Sequence, residues 1–275
     1  MKSFVRLLAL LAFALSLTFS IVATWTNAHL YDEAGFVESS ASISRNEQVR
    51  ASIINVTSVQ LAAKANLGAN ATATISSITS QILTDATERP EFETAWRTSM
   101  KRSHQLHFGK NPPSNLTVDV APFVDLAIDN SGLLRTFNVK APETLEVQVA
   151  DINITRFVDW LTLAEQFRVL AYVLALGSAF VALLATPQRR KGSTLALLGA
   201  IAVAVTLLLA WTGREAATRL IEATLERNRD LAGAIRPIGQ MAVDNLDALL
   251  MPVAAVALAT AAAGILWRAI SARQR

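Results

Sequence analysis

Residues 189–212 have the sequence RRKGSTLALLGAIAVAVTLLLAWT, a basic run followed by a long apolar stretch. The apolar part, 194–212, has no charged residue and approaches the ~20 residues that an α-helix needs to cross a ~30 Å hydrocarbon core. Three further stretches without acidic residues lie at 4–25, 168–186 and 248–267. The sequence therefore predicts four membrane spans.

The charges around these stretches predict their orientation. All 22 acidic residues lie between Asp32 and Glu165 or between Glu215 and Asp247. The basic flanks are Lys2 and Arg6 before the first stretch, Arg189, Arg190 and Lys191 between the second and third, and Arg268, Arg273 and Arg275 after the fourth. By the positive-inside rule these flanks are cytoplasmic, so the remaining segments are expected outside.

The predicted fold class is a mainly α membrane protein with four transmembrane helices and an extracytoplasmic α+β, mostly helical domain between spans one and two. The predicted segments are an uncleaved anchor helix at 1–25, the extracytoplasmic domain at 26–167, a transmembrane helix at 168–186, a basic cytoplasmic loop at 187–193, a transmembrane helix at 194–212, an extracytoplasmic amphipathic segment at 213–247, a transmembrane helix at 248–267 and a basic cytoplasmic tail at 268–275. A cleaved signal peptide ending near Ala28 is the alternative for the first stretch, but its apolar run exceeds the 7–15 residues typical of a signal core.

Composition narrows the compartment and the partners. The predicted exterior has more acidic than basic residues, which excludes the basic stripe of a nucleic-acid-binding protein. The chain has no cysteine, so its exterior is not held by disulfides, which favours a bacterial envelope over an animal cell surface. Glycosylation sequons occur at Asn55, Asn70, Asn115 and Asn153, and their use stays open.

The first part of the outer domain has helical periodicity. Ser44 to Glu47 has the spacing of a capping box before a helix at about 45–66. A second helix is expected to carry Ile75, Ile78, Ile82 and Leu83. A third should begin at Pro90 and place Phe92, Trp96 and Met100 on one core-facing side.

The second part alternates as strands do. Val118 with Val120, and later Leu145, Val147 and Val149, alternate with polar residues. A short helix at 122–128 is expected between these strands, and a helix at 153–167 should lead into the second span.

The outer segment 213–247 is predicted to extend the third span as an amphipathic helix and to turn near Pro237 and Gly239. Its apolar stripe, which needs a cover, consists of Leu220, Ile221, Leu225, Leu231 and Ile235. The larger outer domain is the nearest candidate to cover it.

Few residues suggest chemistry. His104 and His107 could share a helical face, but a zinc site needs three or four ligands, so surface histidines are the preferred interpretation. Ser99 and Ser103 lie nearby without a GxSxG motif. The loosely spaced Asp119, Asp125 and Asp129 are expected to be solvated. No catalytic residue, metal or cofactor is therefore predicted. Phe92, Trp96, His104 and His107 remain candidate interaction residues.

The stretches Phe92-Glu93-Thr94-Ala95-Trp96, with His104 after it, and Leu116-Thr117-Val118-Asp119-Val120-Ala121-Pro122 carry a resemblance. With the overall arrangement of spans, they resemble a family of uncharacterised actinobacterial integral membrane proteins with an anchor helix, an outer helical domain and three further spans. This sequence departs from the pattern by a short, proline-rich link between His107 and Leu116. The resemblance implies a fold, a membrane location and a source, but no activity.

The expected role is non-enzymatic: an envelope scaffold, an accessory subunit or a ligand-sensing module that acts through the outer domain. A small-molecule or lipid transporter component is second, although the spans lack ionisable residues at mid-depth, and an envelope enzyme is third. The expected location is the plasma membrane, with both termini cytoplasmic. The lipid bilayer is the expected partner, and another envelope or membrane protein is a candidate partner. Nucleic acid is not expected as a partner. No oligomeric state is predicted.

Overall fold

The computed structural model describes residues 2–64, 69–130, 140, 142–227 and 232–273, which are mostly helical. The helices are α1 (Lys2–Thr26), α2 (Glu33–Ala41), α3 (Glu47–Lys64), α4 (Ala69–Thr87), α5 (Phe92–His107), α6 (Ala121–Asn130), α7 (Thr155–Leu184), α8 (Lys191–Arg227) and α9 (Ala232–Arg273). A π-helical turn at Asn27–Tyr31 follows α1, and a 3₁₀ turn at Gln188–Arg190 precedes α8. Strands β1 (Asn115–Asp119) and β2 (Glu146–Asn153) pair antiparallel.

The chain forms two compact units. Unit 1 comprises Met1–Asn27, Leu161–Thr218 and Ala242–Arg275, and unit 2 comprises Ala28–Trp160 and Arg219–Met241.

Four helical segments are long and apolar enough to cross a membrane, as the sequence predicts. They are Ser3–Tyr31, Thr155–Leu184, Gln188–Glu226 and Gly233–Arg273. The third continues well beyond residue 212, in agreement with the expected helical extension. The protein is therefore suited to be embedded in a membrane through these four helices.

The turn predicted near Pro237 and Gly239 is wrong, because α9 runs through both residues. Proline removes one backbone donor, but Pro237 lies in the second turn of α9, where this loss affects only the helix end. Gly239 allows close packing instead: a methyl group placed on it would lie 2.5 Å from Ile221 Cδ1 of α8. The glycine thus brings two helices together without ending one.

Within unit 1, glycines let α8 and α9 approach closely. A methyl group on Gly199 would collide with the backbone of Ala261, and one on Gly264 would collide with the backbone of Ala196. Small residues at such crossings are typical of membrane helix pairs. Gly177 is not used in this way, because a methyl group placed on it would meet no atom within 4 Å beyond its own helix backbone.

The core of unit 2 surrounds Trp96. This side chain is only 1% exposed, and Phe92 and Met100 are also buried in the same cluster. Phe123 of α6 stacks on Phe92 with ring centroids 5.5 Å apart. The core-facing side predicted for α5 is confirmed, although α5 begins at Phe92 and not at Pro90.

The predicted strands and the helix between them are present as β1, α6 and β2. Val118 of β1 faces Val147 of β2 in the register. The side chain of Val149 and residues 131–139 lie outside the described part of the chain.

Two helix starts differ from the sequence interpretation. The cap of α3 is Asn46, whose Oδ1 accepts hydrogen bonds from the amides of Gln48 and Val49 at 3.0 and 3.2 Å. Ser44 Oγ donates instead to the carbonyl of Ala41, so the capping box is wrong. Helix α2 was not predicted; Asp32 caps it by accepting from the amide of Gly35 at 2.8 Å.

The second segment of unit 2 packs on the first, and Leu220 of the predicted stripe takes no part in this packing, whereas Ile221, Leu225 and Ile235 are half-buried. Leu220 is 70% exposed, whereas Ala234 at the start of α9 is buried in the Trp96 core. A methyl group on Gly233 would lie 2.9 Å from Ser52 Oγ of α3. Small residues of α9 make this contact, because they let the backbones of α9 and α3 approach closely. Leu231 of the predicted stripe lies outside the described residues.

Candidate ligand cavity

A cavity of about 280 Å³ lies inside unit 2, next to Trp96. Its walls come from the π-helical turn, α2, α3, α5, both strands and the first residues of α9. The contribution of α9 is Ala234, Ile238 and Met241. Both sequence segments of unit 2 therefore enclose one space.

The local sequence explains why the walls are apolar. Val49, Ile53 and Val56 lie at helical spacing on one face of α3. Leu116 and Val118 point to the same side of β1, because alternate residues of a strand share a face. Among the described lining residues there is no Asp, Glu, Lys or Arg. A mainly apolar cavity with a few polar groups is typical of small-molecule sites.

The polar lining residues Ser39 and Ser40 lie at the end of α2 with His29 beside them, and Thr57 lies on α3. His29 Nδ1 lies 2.7 Å from Ser39 Oγ. The indole Nε1 of Trp96 donates to Ser40 Oγ at 3.4 Å, and Ser40 Oγ donates to the carbonyl of Val37 at 2.8 Å. Hydroxyl and imidazole groups can serve as donor or acceptor, and here they bond to one another and to the backbone, so the surface of the cavity itself is apolar.

Of the four candidate interaction residues, Trp96 alone lines this cavity. Phe92 borders a smaller space of about 20 Å³ beside Arg50. The guanidinium carbon of Arg50 lies 5.9 Å from the centre of the Phe92 ring. Neither aromatic side chain is exposed, so neither is available as an anchor on the surface of unit 2.

The prediction that His104 and His107 are surface histidines is wrong, because each is only 8% exposed. His104 Nε2 donates to the carbonyl of Leu30 at 3.2 Å, and its ring stacks on Phe108 with centroids 4.4 Å apart. The apolar face of α5 is broader than the Phe92, Trp96 and Met100 stripe, so it also includes the histidines. His104 thus joins α5 to the chain that follows α1.

His107 holds the start of the strand pair. Its Nε2 donates to the carbonyl of Thr117 at 2.8 Å, whereas Nδ1 is buried without a hydrogen-bond partner in the described structure. Burial lowers the pKa of both His104 and His107 below the ordinary value, because the charged imidazolium loses hydration. Both rings are therefore favoured in the neutral form.

The expected solvation of Asp119 is also wrong, whereas Asp125 and Asp129 are exposed as expected. Asp119 Oδ1 accepts from the amides of Ala121 and Leu145 at 3.0 and 2.9 Å. This buried carboxylate therefore holds the first residue of α6 and the residue before β2 in place. The spacing of the aspartates in the sequence does not reveal this role.

Ser99 and Ser103 also serve the framework. Ser99 Oγ donates to the carbonyl of Asp119 at 2.6 Å. Ser103 Oγ donates to the carbonyl of Ser99 and accepts from the amide of Asp119. These bonds join α5 to the end of β1. In the described part of the chain, no group of three or more His, Asp or Glu residues is arranged to hold a metal ion.

Comparison with protein families, curated proteins and solved structures finds no match to this chain. The resemblance carried by Phe92 to Trp96 and by the stretch around Asp119 therefore stays a prediction.

Proposed function

We propose that this chain is a non-enzymatic, multi-pass protein of the plasma membrane, in which unit 2 lies outside the cytoplasm and senses a small apolar ligand. The four candidate spans support membrane insertion. The basic flanks before the first span, between the second and third, and after the fourth support cytoplasmic termini.

The observation that carries the sensing role is the shared wall of the cavity. Ala234, Ile238 and Met241 of α9 line it together with residues of 28–160. A ligand that contacts both segments binds more tightly when the segments are packed together, which we call the docked arrangement, than when they separate. Only such a difference in affinity shifts a conformational equilibrium. Because α9 continues to Arg273, the contact lies at one end of a helix that includes the fourth candidate span.

Benzene is a suitable first probe, because a dry apolar cavity of ~150 Å³ already binds it. The full chain in amphipol should show slower hydrogen exchange at 233–241 and at 49–57 when benzene is added. The cavity-filling variant Ala234→Leu should remove this response. Arg236→Leu, a matched change at an exposed position of the same helix, should keep it. An unchanged exchange pattern in the native chain would contradict the sensing role.

A transporter component is the second candidate, and a cleft inside unit 1 favours it. The cleft has a volume of about 480 Å³ and is lined by side chains of α1, α7, α8 and α9, among them Phe13, Leu183 and Pro252. The lining is apolar apart from Thr260, which suits lipid chains better than ions. Loss of a bound lipid in Leu183→Ala, with unit 2 unchanged, would favour this role over sensing.

A further inference from the structure

The cleft of unit 1 indicates which lipid it takes, an inference that rests on the membrane insertion and on the second candidate role proposed above. We infer that the cleft binds one acyl chain of an anionic phospholipid, whose phosphate is held between Arg6 of α1 and Lys191 of α8. The lipid belongs to the leaflet that these two basic residues face.

The surface of the cleft suits a hydrocarbon chain. Its volume is about 480 Å³, roughly three times the ~150 Å³ of a cavity that binds one benzene molecule. The hydroxyl of Thr260, the one polar side chain among the described lining residues, already donates to the carbonyl of Val256 at 2.8 Å. Val256 itself is 68% exposed. One wall of the cleft therefore lies at the outer surface of unit 1, where a lipid chain can enter from the bilayer.

The depth of the cleft selects the leaflet. Its lining on α8 runs from Leu195 to Ala202, about 6–17 Å along the helix axis from Lys191 at a rise of ~1.5 Å per residue. On the same scale, Phe13 and Leu17 of α1 lie about 10–17 Å from Arg6. Because the hydrocarbon core is ~30 Å thick, these walls lie mainly in the half of the bilayer next to the two basic residues.

Arg6 and Lys191 continue the two stripes of side chains that line the cleft. Phe13 and Leu17 follow Arg6 at i+7 and i+11, and Leu195, Leu198 and Ala202 follow Lys191 at i+4, i+7 and i+11. Such spacings fall on one face of a helix. Helical side chains lean toward the N-terminus of their helix, so both basic groups extend from the cleft toward the membrane surface, where a phosphate lies.

Both basic residues also lie at the same end of unit 1. Leu10, one turn after Arg6, packs in one buried cluster with Leu198 of α8. The sequence has no Asp or Glu in 1–31, 166–214 or 248–275, so no carboxylate from these stretches competes with a phosphate. The positive-inside rule accounts for basic residues at this end, but not for the position of two of them on the stripes that line the cleft. Basic sites between transmembrane helices bind anionic lipid headgroups.

Brominated lipids test the site, because bromine on an acyl chain quenches the fluorescence of a tryptophan that it contacts. Phe13→Trp places an indole at the cleft, and the signal of the native chain, which has five tryptophans, is subtracted. Leu15→Trp is the matched control, since Leu15 lies at nearly the same depth of α1 but is 72% exposed. The full chain is reconstituted in phosphatidylcholine vesicles that contain brominated phosphatidylglycerol or brominated phosphatidylcholine at the same mole fraction.

We expect phosphatidylglycerol to quench the indole of Phe13→Trp at a mole fraction several-fold lower than phosphatidylcholine does, and both lipids to quench that of Leu15→Trp equally. The unchanged chain gives a second measurement that needs no variant. In native mass spectrometry from a detergent with equal amounts of both lipids, it should retain one phosphatidylglycerol molecule. Equal quenching at Phe13→Trp, with equal retention of the two lipids, would overturn the headgroup assignment.

Charge variants locate the phosphate. Arg6→Gln with Lys191→Gln should remove the preference for phosphatidylglycerol. Arg189→Gln with Arg273→Gln removes the same charge from exposed positions before α8 and in the last turn of α9, away from the cleft, and should keep the preference. Equal loss in the two double variants would mean that anionic lipids are attracted to this end in general, and it would overturn the site.

The quenching also separates this inference from the role on which it rests. If both lipids quench the indole of Phe13→Trp equally, a lipid chain enters the cleft, so the transporter candidate stands and the lipid class is wrong. If neither lipid quenches it while both quench that of Leu15→Trp, the cleft takes no lipid chain and both proposals fail.

Discussion

Gly233 and Ser52 join two parts of the chain that are far apart in sequence: a methyl group on Gly233 would lie 2.9 Å from Ser52 Oγ. The contact places the first turn of α9 against α3, and the neighbouring Ala234 enters the Trp96 core. Unit 2 is therefore a single body made from two segments, with its cavity enclosed by both.

Enlarging Gly233 should open this contact. Gly233→Leu introduces a side chain against the Ser52 hydroxyl and the Gln48 carbonyl, and overpacking of this kind costs about 1–3 kcal/mol. Hydrogen exchange should rise together at 49–57 and 233–241. Arg236→Leu, the matched exposed position, should change neither. Loosening of 233–241 alone would show that the two segments are stable independently.

Trp96 should carry much of the stability of unit 2. Trp96→Ala removes a side chain that is 1% exposed, and such large-to-small changes cost about 3–5 kcal/mol. Unit 2 should become sensitive to protease. Trp160→Ala is the control, since Trp160 is 40% exposed. If Trp96→Ala left the protease pattern intact and abolished partner capture, the indole would be a binding anchor and the core assignment would be wrong.

Unit 2 should lose stability in mildly acidic solution. The pKa values of His104 and His107 are lowered in the folded state by burial, so the unfolded chain binds protons first, near its ordinary histidine pKa of about 6.5. The free energy of unfolding therefore falls as pH drops below about 6.5 and levels off below the folded pKa values. The His107→Gln variant should show a shallower fall between about pH 7 and 5. An identical slope in this variant and in the native chain would refute the linkage to His107.

The glycine contact of α8 and α9 should be intolerant of large side chains. Gly199→Leu places its side chain into the Ala261 backbone and should separate the two helices, lowering the thermal stability of the purified protein. Gly177→Leu meets open space, and it should be neutral or slightly stabilising because leucine has the higher helix propensity. Equal effects of the two variants would mean that α8 and α9 do not pack in this way.

The sequence predicts the long helices well, because length and uninterrupted apolarity are local properties. It also predicts the inward face of α5, since Phe92, Trp96 and Met100 follow helical spacing. The burial of His104, His107 and Asp119 is not predictable in this way, because it depends on backbone partners at Leu30, Thr117 and Leu145 that lie outside the helix or strand of the side chain concerned.

The cavity has no sequence signature either. Val49 or Val118 would have the same pattern in a filled core, and the space arises only from how α2, α3, β1 and α9 meet. Helix α2 was missed because the serines at 39 and 40 also fit a loop.

Orientation is tested with single cysteines, since the chain has none of its own. In intact cells, Arg190→Cys should resist an impermeant thiol reagent and Glu88→Cys should react, because the basic flanks favour the cytoplasm. Permeabilised cells provide the control, in which both positions should react. Strong labelling at residue 190 in intact cells would reverse the topology.

Disulfide formation in the double variant Ser52→Cys with Gly233→Cys tests most directly whether the start of α9 closes the cavity against α3. The Cβ position at residue 233 lies 2.9 Å from the Oγ of Ser52, within reach of a disulfide. We expect rapid, nearly complete cross-linking under mild oxidation, accelerated by benzene if an occupant of the cavity favours the docked arrangement. The pair Ala51→Cys with Gly233→Cys, in which position 51 is exposed, should cross-link slowly and without a benzene effect. Equal rates for the two pairs, with no response to benzene, would contradict a ligand cavity closed by the start of α9.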